Sequence, residues 1–169
     1  MTVYAEAAQR LRDLTTFLQA EGIRVPRTEW TGILGEWLVM DRLIEREYDP
    51  AYHSGQHPYD IELRGGTRVE VKSGRYDSEK SVWRFDNIKP DRFDILVLVK
   101  FENGFDQEVF YIFNEDEKRS LPPIRKTKPN DQRRLVRLRE DPTRHRRGDM
   151  QTFDEKIAQH RGAWGKISE

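Results

Sequence analysis

Residues 58–72 read Pro58-Tyr59-Asp60-Ile61-Glu62-Leu63-Arg64-Gly65-Gly66-Thr67-Arg68-Val69-Glu70-Val71-Lys72. Apolar and polar residues alternate on both sides of Gly65-Gly66, the pattern of a β-hairpin. A two-residue loop would set Arg64 against Thr67 and Ile61 against Glu70, with apolar side chains facing charged ones and Asp60 turned away from Glu70. A three-residue loop, Arg64-Gly65-Gly66, sets Leu63 against Thr67, Glu62 against Arg68, Ile61 against Val69 and Asp60 against Glu70. That register sorts the two faces, allows a Glu62–Arg68 pair, and closes through a glycine in the left-handed region, a common hairpin type. Since a slip of one residue inverts every side chain, the sorted register is the expected one.

The polar face then carries Asp60, Glu70 and Lys72 together. Glu70 and Lys72, two apart on one strand, point the same way, and directly opposed residues have Cβ atoms ~5 Å apart. Two carboxylates that close repel unless a positive charge lies between them. A hard divalent cation with oxygen ligands relieves that repulsion, and Mg²⁺ is the usual choice beside phosphate. Lys72 could orient or deprotonate a water, or stabilise charge developing on phosphorus. The plain alternative is a solvated sheet face on which Lys72 merely neutralises two acids, an arrangement that is common and contributes little.

Outward from the hairpin, a first helix is expected over 2–20, with Val3, Ala7, Leu11, Leu14 and Leu18 at helical spacing and Gly22 and Pro26 ending it. Thr28 can cap a second helix over about 29–46. Its apolar face is Ile33, Leu34, Trp37, Leu38 and Ile44, and Gly32 and Gly35 leave room for another backbone to come close. After the hairpin, strands are expected at Val82–Asp86, at Asp94–Phe101 (apolar on both faces, as a buried central strand is) and at Glu108–Phe113. Residues 114–147 read as loop, with Pro122, Pro123, Pro129 and Pro142, and a last helix is expected over roughly 151–162. The expected fold class is α/β (α+β-like): a single domain, residues 1–169, with a central mixed sheet flanked by helices.

Composition limits the function classes. The chain has 169 residues, 30 Lys plus Arg against 30 Asp plus Glu, and no cysteine. Disulfide scaffolds, thiolate zinc sites and cysteine nucleophiles are excluded, and a cytoplasmic setting fits. The longest purely aliphatic run, Ile95-Leu96-Val97-Leu98-Val99, falls far short of the ~20 residues that span a bilayer, and the N-terminus lacks a secretory h-region. No Walker-type loop supports ATP hydrolysis. Zero net charge hides a segregation: residues 125–147 hold ten Lys/Arg against three acids, so the rest of the chain carries −7. This basic segment, including Arg125, Lys126, Lys128, Arg133, Arg134 and Arg137, suits contact with nucleic-acid phosphates.

The residues of the hairpin bring a family into view. Pro58-Tyr59-Asp60, nine intervening residues and Glu70-Val71-Lys72 resemble the signature of the PD-(D/E)XK nuclease superfamily, the restriction-endonuclease-like fold. Three acid-x-Lys triplets occur in the chain, at Glu70, Asp116 and Asp154. Only the first lies in an alternating strand behind a Gly-Gly turn with an acid opposite. Gly35-Glu36-Trp37-Leu38 stands where the superfamily often supplies a further Glu from a helix. Trp83-Arg84-Phe85 leading to Phe93–Val99 is similar to the later core strands, so the likeness covers about 29–113. Tyr59, between Pro58 and Asp60, departs from the pattern.

What the resemblance implies is a Mg²⁺-dependent endonuclease (Mn²⁺ able to substitute) hydrolysing phosphodiesters, mostly in double-stranded DNA and often as a homodimer. Asp60, Glu70 and the Val71 carbonyl would be metal ligands, Lys72 the catalytic lysine, and Glu36 an outer or second-metal ligand. Ser73 would touch the scissile phosphate or end the strand. Restriction, junction-resolving and intron-homing roles are not separated by sequence. A non-catalytic nucleic-acid-binding or assembly protein on the same fold stands as the alternative, and a protein–protein adaptor as the plainest one. His53 and His57, four apart but broken by Gly55 and Pro58, read as loop histidines, and the four tryptophans read as core or interface anchors, with Trp83 also placed for base stacking.

Overall fold

The chain is described by a computed structural model covering residues 1–23, 27–53, 55, 57–102, 105–123, 132–139 and 157–167. Two helices, α1 (Val3–Ala20) and α2 (Arg27–Ile44), precede strands β1 (Pro50–Tyr52), β2 (Ile61–Leu63), β3 (Arg68–Ser73), β4 (Arg75–Asp77), β5 (Val82–Ile88), β6 (Ile95–Glu102) and β7 (Gln107–Phe113). A short helix α3 (Glu115–Arg119) and strand β8 (Arg134–Arg139) follow, and 3₁₀ turns lie at Pro90–Arg92, Ala158–His160 and Trp164–Lys166. The result is a mixed α/β architecture.

The alternation in β6 organises the core. β6 runs parallel to β3 and antiparallel to β7 in a five-stranded sheet ordered β1-β2-β3-β6-β7. Ile95, Val97, Val99 and Phe101 face one side, where Leu34, Leu38, Val39, Met40 and Leu43 of α2 meet Ile61, Leu63, Val69 and Val71 of the hairpin. Leu96 and Leu98 face the other side, against Trp83, Phe85, Ile88, Val136 and Leu138 of a second sheet ordered β4-β5-β8. Each fully buried aliphatic side chain here contributes ~1.5–3 kcal/mol, so both faces of β6 hold the molecule together.

The hairpin adopts the expected register. Ile61 pairs with Val69 and Glu62 with Arg68, Leu63 N–H donates to the Thr67 carbonyl at 2.9 Å, and Gly66 closes the turn at φ +84°. The side chains of the Glu62–Arg68 pair nevertheless go elsewhere. Arg68 makes a two-pronged contact with Asp94 (3.0 and 2.8 Å), while Glu62 accepts from the Tyr59 hydroxyl at 2.8 Å. Asp94 begins the approach to β6 and also accepts the Arg68 N–H at 2.9 Å, and a fixed fork with an added backbone bond outcompetes a single cross-strand pair.

Both helices bury only part of their expected faces, with Leu11, Leu34 and Leu38 packed on the core. α1 turns Ala8 and Thr15 inward and leaves Val3 and Leu14 exposed. Thr15 tolerates burial because its hydroxyl donates to the Leu11 carbonyl at 2.8 Å. α2 buries Leu34 and Leu38 as expected and Val39, Met40 and Leu43 beside them, while Ile33 and Ile44 are partly exposed. It begins at Arg27, so Thr28 lies inside its first turn. The stretch expected as loop holds α3, closed by a capping box between Asn114 and Glu117, and β8, antiparallel to β5. Of the last expected helix, 151–156 lie outside the described residues, and 158–160 form a 3₁₀ turn. Among the described residues, no helix is long and apolar enough to cross a membrane.

Candidate active site

Asp60 sits where β2 begins. Its N–H donates to the Val69 carbonyl at 3.1 Å, and its Oδ2 accepts from the Val71 N–H at 2.7 Å. It is thus held by the two neighbours of Glu70. Glu70 itself is buried and forms an ion pair with Lys72. The strand alternation that sends Val69 and Val71 toward α2 sends Glu70 and Lys72 to the opposite face.

Glu36 reaches the same site from α2, and the chain lets it do so through Gly35. A Cβ on Gly35 would stand 2.0 Å from Ser73 Oγ and 3.5 Å from the Val99 Cβ, so only a glycine allows the helix to seat this low on β3. Gly32 has nothing within 4 Å of such a Cβ, and its place in the helix serves no close approach. The Glu36 carboxylate accepts from the Tyr52 hydroxyl at 2.5 Å. Tyr52, from β1, was not singled out in the sequence: a three-residue strand is too short to register as periodicity, and only the Asp49-Pro50 break marks its start.

Burial shapes the electrostatics. Desolvation pushes the Glu36 carboxyl up from 4.5 to about 7, against the Tyr52 hydrogen bond and the Lys72 charge, with the Asp60 and Glu70 charges pushing further. Desolvation likewise raises Asp60, despite the Val71 N–H and Lys72. It raises Glu70 too, where Lys72 and, more weakly, Lys89 oppose it and Asp60 adds to it. Tyr52 is held above its ordinary value first by burial and then by its bond to Glu36. Three half-buried or buried carboxyls and one close ammonium leave the site short of positive charge, which is the condition a cation would correct.

The donor set is all oxygen, as Mg²⁺ prefers, and Mg²⁺ is commonly held by one or two carboxylates plus substrate phosphates rather than by a full protein cage. Among the described residues, no group of three or more His, Cys, Asp or Glu forms a ready-made cage. Asp60 and Glu70 are the pair that fits, with Glu36 acting on them through its charge while Tyr52 holds it.

The other expected residues are dispersed. Ser73 Oγ is enclosed against Gly35 and among the described residues has no hydrogen-bond partner, so the hydroxyl expected at a phosphate faces α2. Trp83 is an anchor: its indole N–H donates to the Phe101 carbonyl at 2.7 Å and Lys100 Nζ lies 4.0 Å over its ring. His53 and His57 have ring centroids 4.3 Å apart, each beside Tyr59. Of the basic segment, Arg125, Lys126 and Lys128 lie outside the described residues. Arg133 precedes β8. Arg134 shares the buried side of Val136 and Leu138, and Arg137 on the other side is exposed.

No family model matches the chain, and no curated protein does. Fold comparison is more informative. A nuclease-like fold is found in the structure of a bacterial homing endonuclease, I-Ssp6803I, with a TM-score of 0.56, 18% identity, and coverage of 82% of this chain and 90% of that one. At that identity the likeness is one of fold.

Proposed function

We propose that the protein is a Mg²⁺-dependent endonuclease hydrolysing phosphodiester bonds in double-stranded DNA, on the restriction-endonuclease-like fold of the PD-(D/E)XK superfamily. The observation that carries this reading is Asp60 held across the hairpin at Glu70, with Lys72 paired beside it and Glu36 brought in by Gly35. A nuclease-like fold shared with a homing endonuclease supports it.

Asp60, Glu70 and the Val71 carbonyl would hold Mg²⁺, with Mn²⁺ able to substitute. When bound, the ion would supply Lewis-acid stabilisation of phosphate charge and a more acidic water. Lys72 would orient the attacking water or counter charge on the phosphate. Glu36, carried at about 7, is poised near neutrality to accept a proton. Cutting both strands needs two such sites, which a homodimer would supply.

The test is plasmid nicking in Mg²⁺ or Mn²⁺. Asp60→Ala and Lys72→Ala should each lower the rate at least ~100-fold, the scale of a lost electrostatic or acid–base group. Activity surviving both substitutions would overturn the reading. Binding without cleavage in the wild type would favour a non-catalytic nucleic-acid-binding protein.

A further inference from the structure

The chain passes from the acidic hairpin into the second sheet through a single residue. Gly74 follows Ser73, donates its N–H to the Val99 carbonyl at 2.8 Å, and leads into β4 at Arg75. A Cβ on Gly74 would stand 2.6 Å from the Phe85 ring, so the glycine allows β4 to start directly against β5. Arg75 lies three positions after Lys72, which keeps their Cα atoms within ~11 Å.

The register of the second sheet then lines up arginines. The β4 backbone at Arg75 pairs with Arg84, and Arg84 pairs with Arg137, so Arg84 and Arg137 stand side by side at the usual strand spacing of ~5 Å. Trp83, Phe85, Val136 and Leu138 point into the core, so Arg84 and Arg137 face the other way. Like charges placed directly opposite destabilise a sheet, and Asp86 offsets the charge of Arg84 in part. Asp86 takes one nitrogen of Arg84 at 3.2 Å, and Asp77 is held by Lys80 at 3.1 Å. Among the described residues, the enclosed Arg84 Nε has no hydrogen-bond partner. Arg137 is exposed, and among the described residues its guanidinium has no ion-pair partner.

We propose that the row Arg84–Arg137 is a phosphate-tracking surface, which holds the nucleic-acid backbone flanking the phosphate seated at Asp60, Glu70 and Lys72. A guanidinium fork matches a phosphate in two-point contact, and a polyanion laid across the row relieves the repulsion within it. The direction of the strand rests on the nuclease reading above; the affinity of the row for phosphates does not.

The experiment is fluorescence anisotropy of a labelled duplex oligonucleotide in EDTA, where cleavage cannot interfere, over a range of salt concentrations. Each phosphate contact contributes ~0.9 to the slope of log K against log salt. Arg137→Gln should therefore lower the slope by about 1, and Arg84→Gln with Arg137→Gln by about 2, whereas the Arg84→Lys, Arg137→Lys pair keeps most of it. Arg10→Gln, on the exposed side of α1, is the control and leaves the slope unchanged. Arg137 is exposed, so its variant remains folded, which circular dichroism checks. An undiminished slope in both the single and the double Gln variant overturns the proposal even if the wild type cleaves. A diminished slope in a wild-type background that binds but never cleaves upholds the row and removes the nuclease reading. A wild type with no affinity for duplex at low salt removes both.

Discussion

Replacing Glu36 by Gln tests whether the fold spends stability to assemble the site. Gln keeps the size of the side chain and an oxygen to accept from Tyr52, but carries no charge to desolvate. The Glu36 carboxyl rises from 4.5 to about 7 in the folded protein. At ~1.36 kcal/mol per pH unit, charging it in place costs about 3 kcal/mol relative to the unfolded chain, a large share of the ~5–15 kcal/mol that a domain has. The sign follows from proton counting. Between about pH 4.5 and 7 the native state binds more protons than the unfolded state, so stability falls as pH rises through this window and the full penalty stands above it. Urea unfolding in EDTA at pH 5 and pH 8 reads the effect: E36Q and wild type should differ little at pH 5, and E36Q should be the more stable by about 3 kcal/mol at pH 8, with unchanged m-values. Parallel stability curves across the two pH values would refute the placement of Glu36 in a desolvated, acid-rich site.

Tyr52→Phe removes the hydrogen bond that favours the charged form of Glu36, so the Glu36 carboxyl, followed by ¹³C NMR, should titrate above its wild-type midpoint of about 7. Gly35→Ala, despite gaining ~1 kcal/mol in helix propensity, should be destabilised overall by about 1 kcal/mol through its clash with Ser73 Oγ; adding Ser73→Ala should restore stability to wild-type level or above, and additivity of the two changes in denaturation would contradict the geometry. Lys118 is fully buried, contacts Glu115 at 2.6 Å and donates to the Phe93 carbonyl; Lys118→Ala should cost about 3 kcal/mol in thermal or urea unfolding, and Lys118→Met, which keeps the stem, clearly less. Saturating Mg²⁺ should raise the melting temperature of the wild type and leave that of Asp60→Asn, Glu70→Gln unchanged, the linkage expected of an ion held by that pair.

What could be read in advance follows from the range of the interactions. The hairpin register was legible because Ile61, Leu63, Val69 and Val71 must share one face, which leaves Asp60 only one side on which to meet Glu70. The central strand was legible because Ile95–Val99 is apolar at every position. Arg68 was misread because its partner, Asp94, is 26 residues away and is brought near only by the parallel pairing of β3 with β6. The helix faces were legible in part, since Leu11, Leu34 and Leu38 pack on the core, but a count of apolar residues cannot anticipate that Thr15 will satisfy its own hydroxyl within the helix. β8 did carry a signal, the alternation of Arg134-Leu135-Val136-Arg137-Leu138-Arg139, and Asn114-Glu115-Asp116-Glu117 carried a capping pattern. Both were outweighed by the prolines around them. Tyr52 had no comparable signal, since its role depends on a strand three residues long.

The end of β3 gathers these features into one cause. Lys72, Ser73 and Gly74 are consecutive, and the alternation of the strand gives each a different neighbour. Lys72 meets Glu70 on the polar side, Ser73 presses against Gly35 of α2, and Gly74 meets the Phe85 ring of the second sheet. Two glycines, one on a helix and one between sheets, let three layers converge on a single turn of chain, and neither tolerates a Cβ without a shift of its neighbour. Glu36 is the residue after Gly35, and Arg75 the residue after Gly74. The acid that joins the hairpin carboxylates and the start of the strand that pairs with Arg84 are thus both set by steric permission at the adjacent position. The charged groups are consequently fixed by backbone packing together with the bonds that Tyr52, the Val71 N–H and Lys72 give them, which is how carboxylates that repel one another stay together in the folded chain.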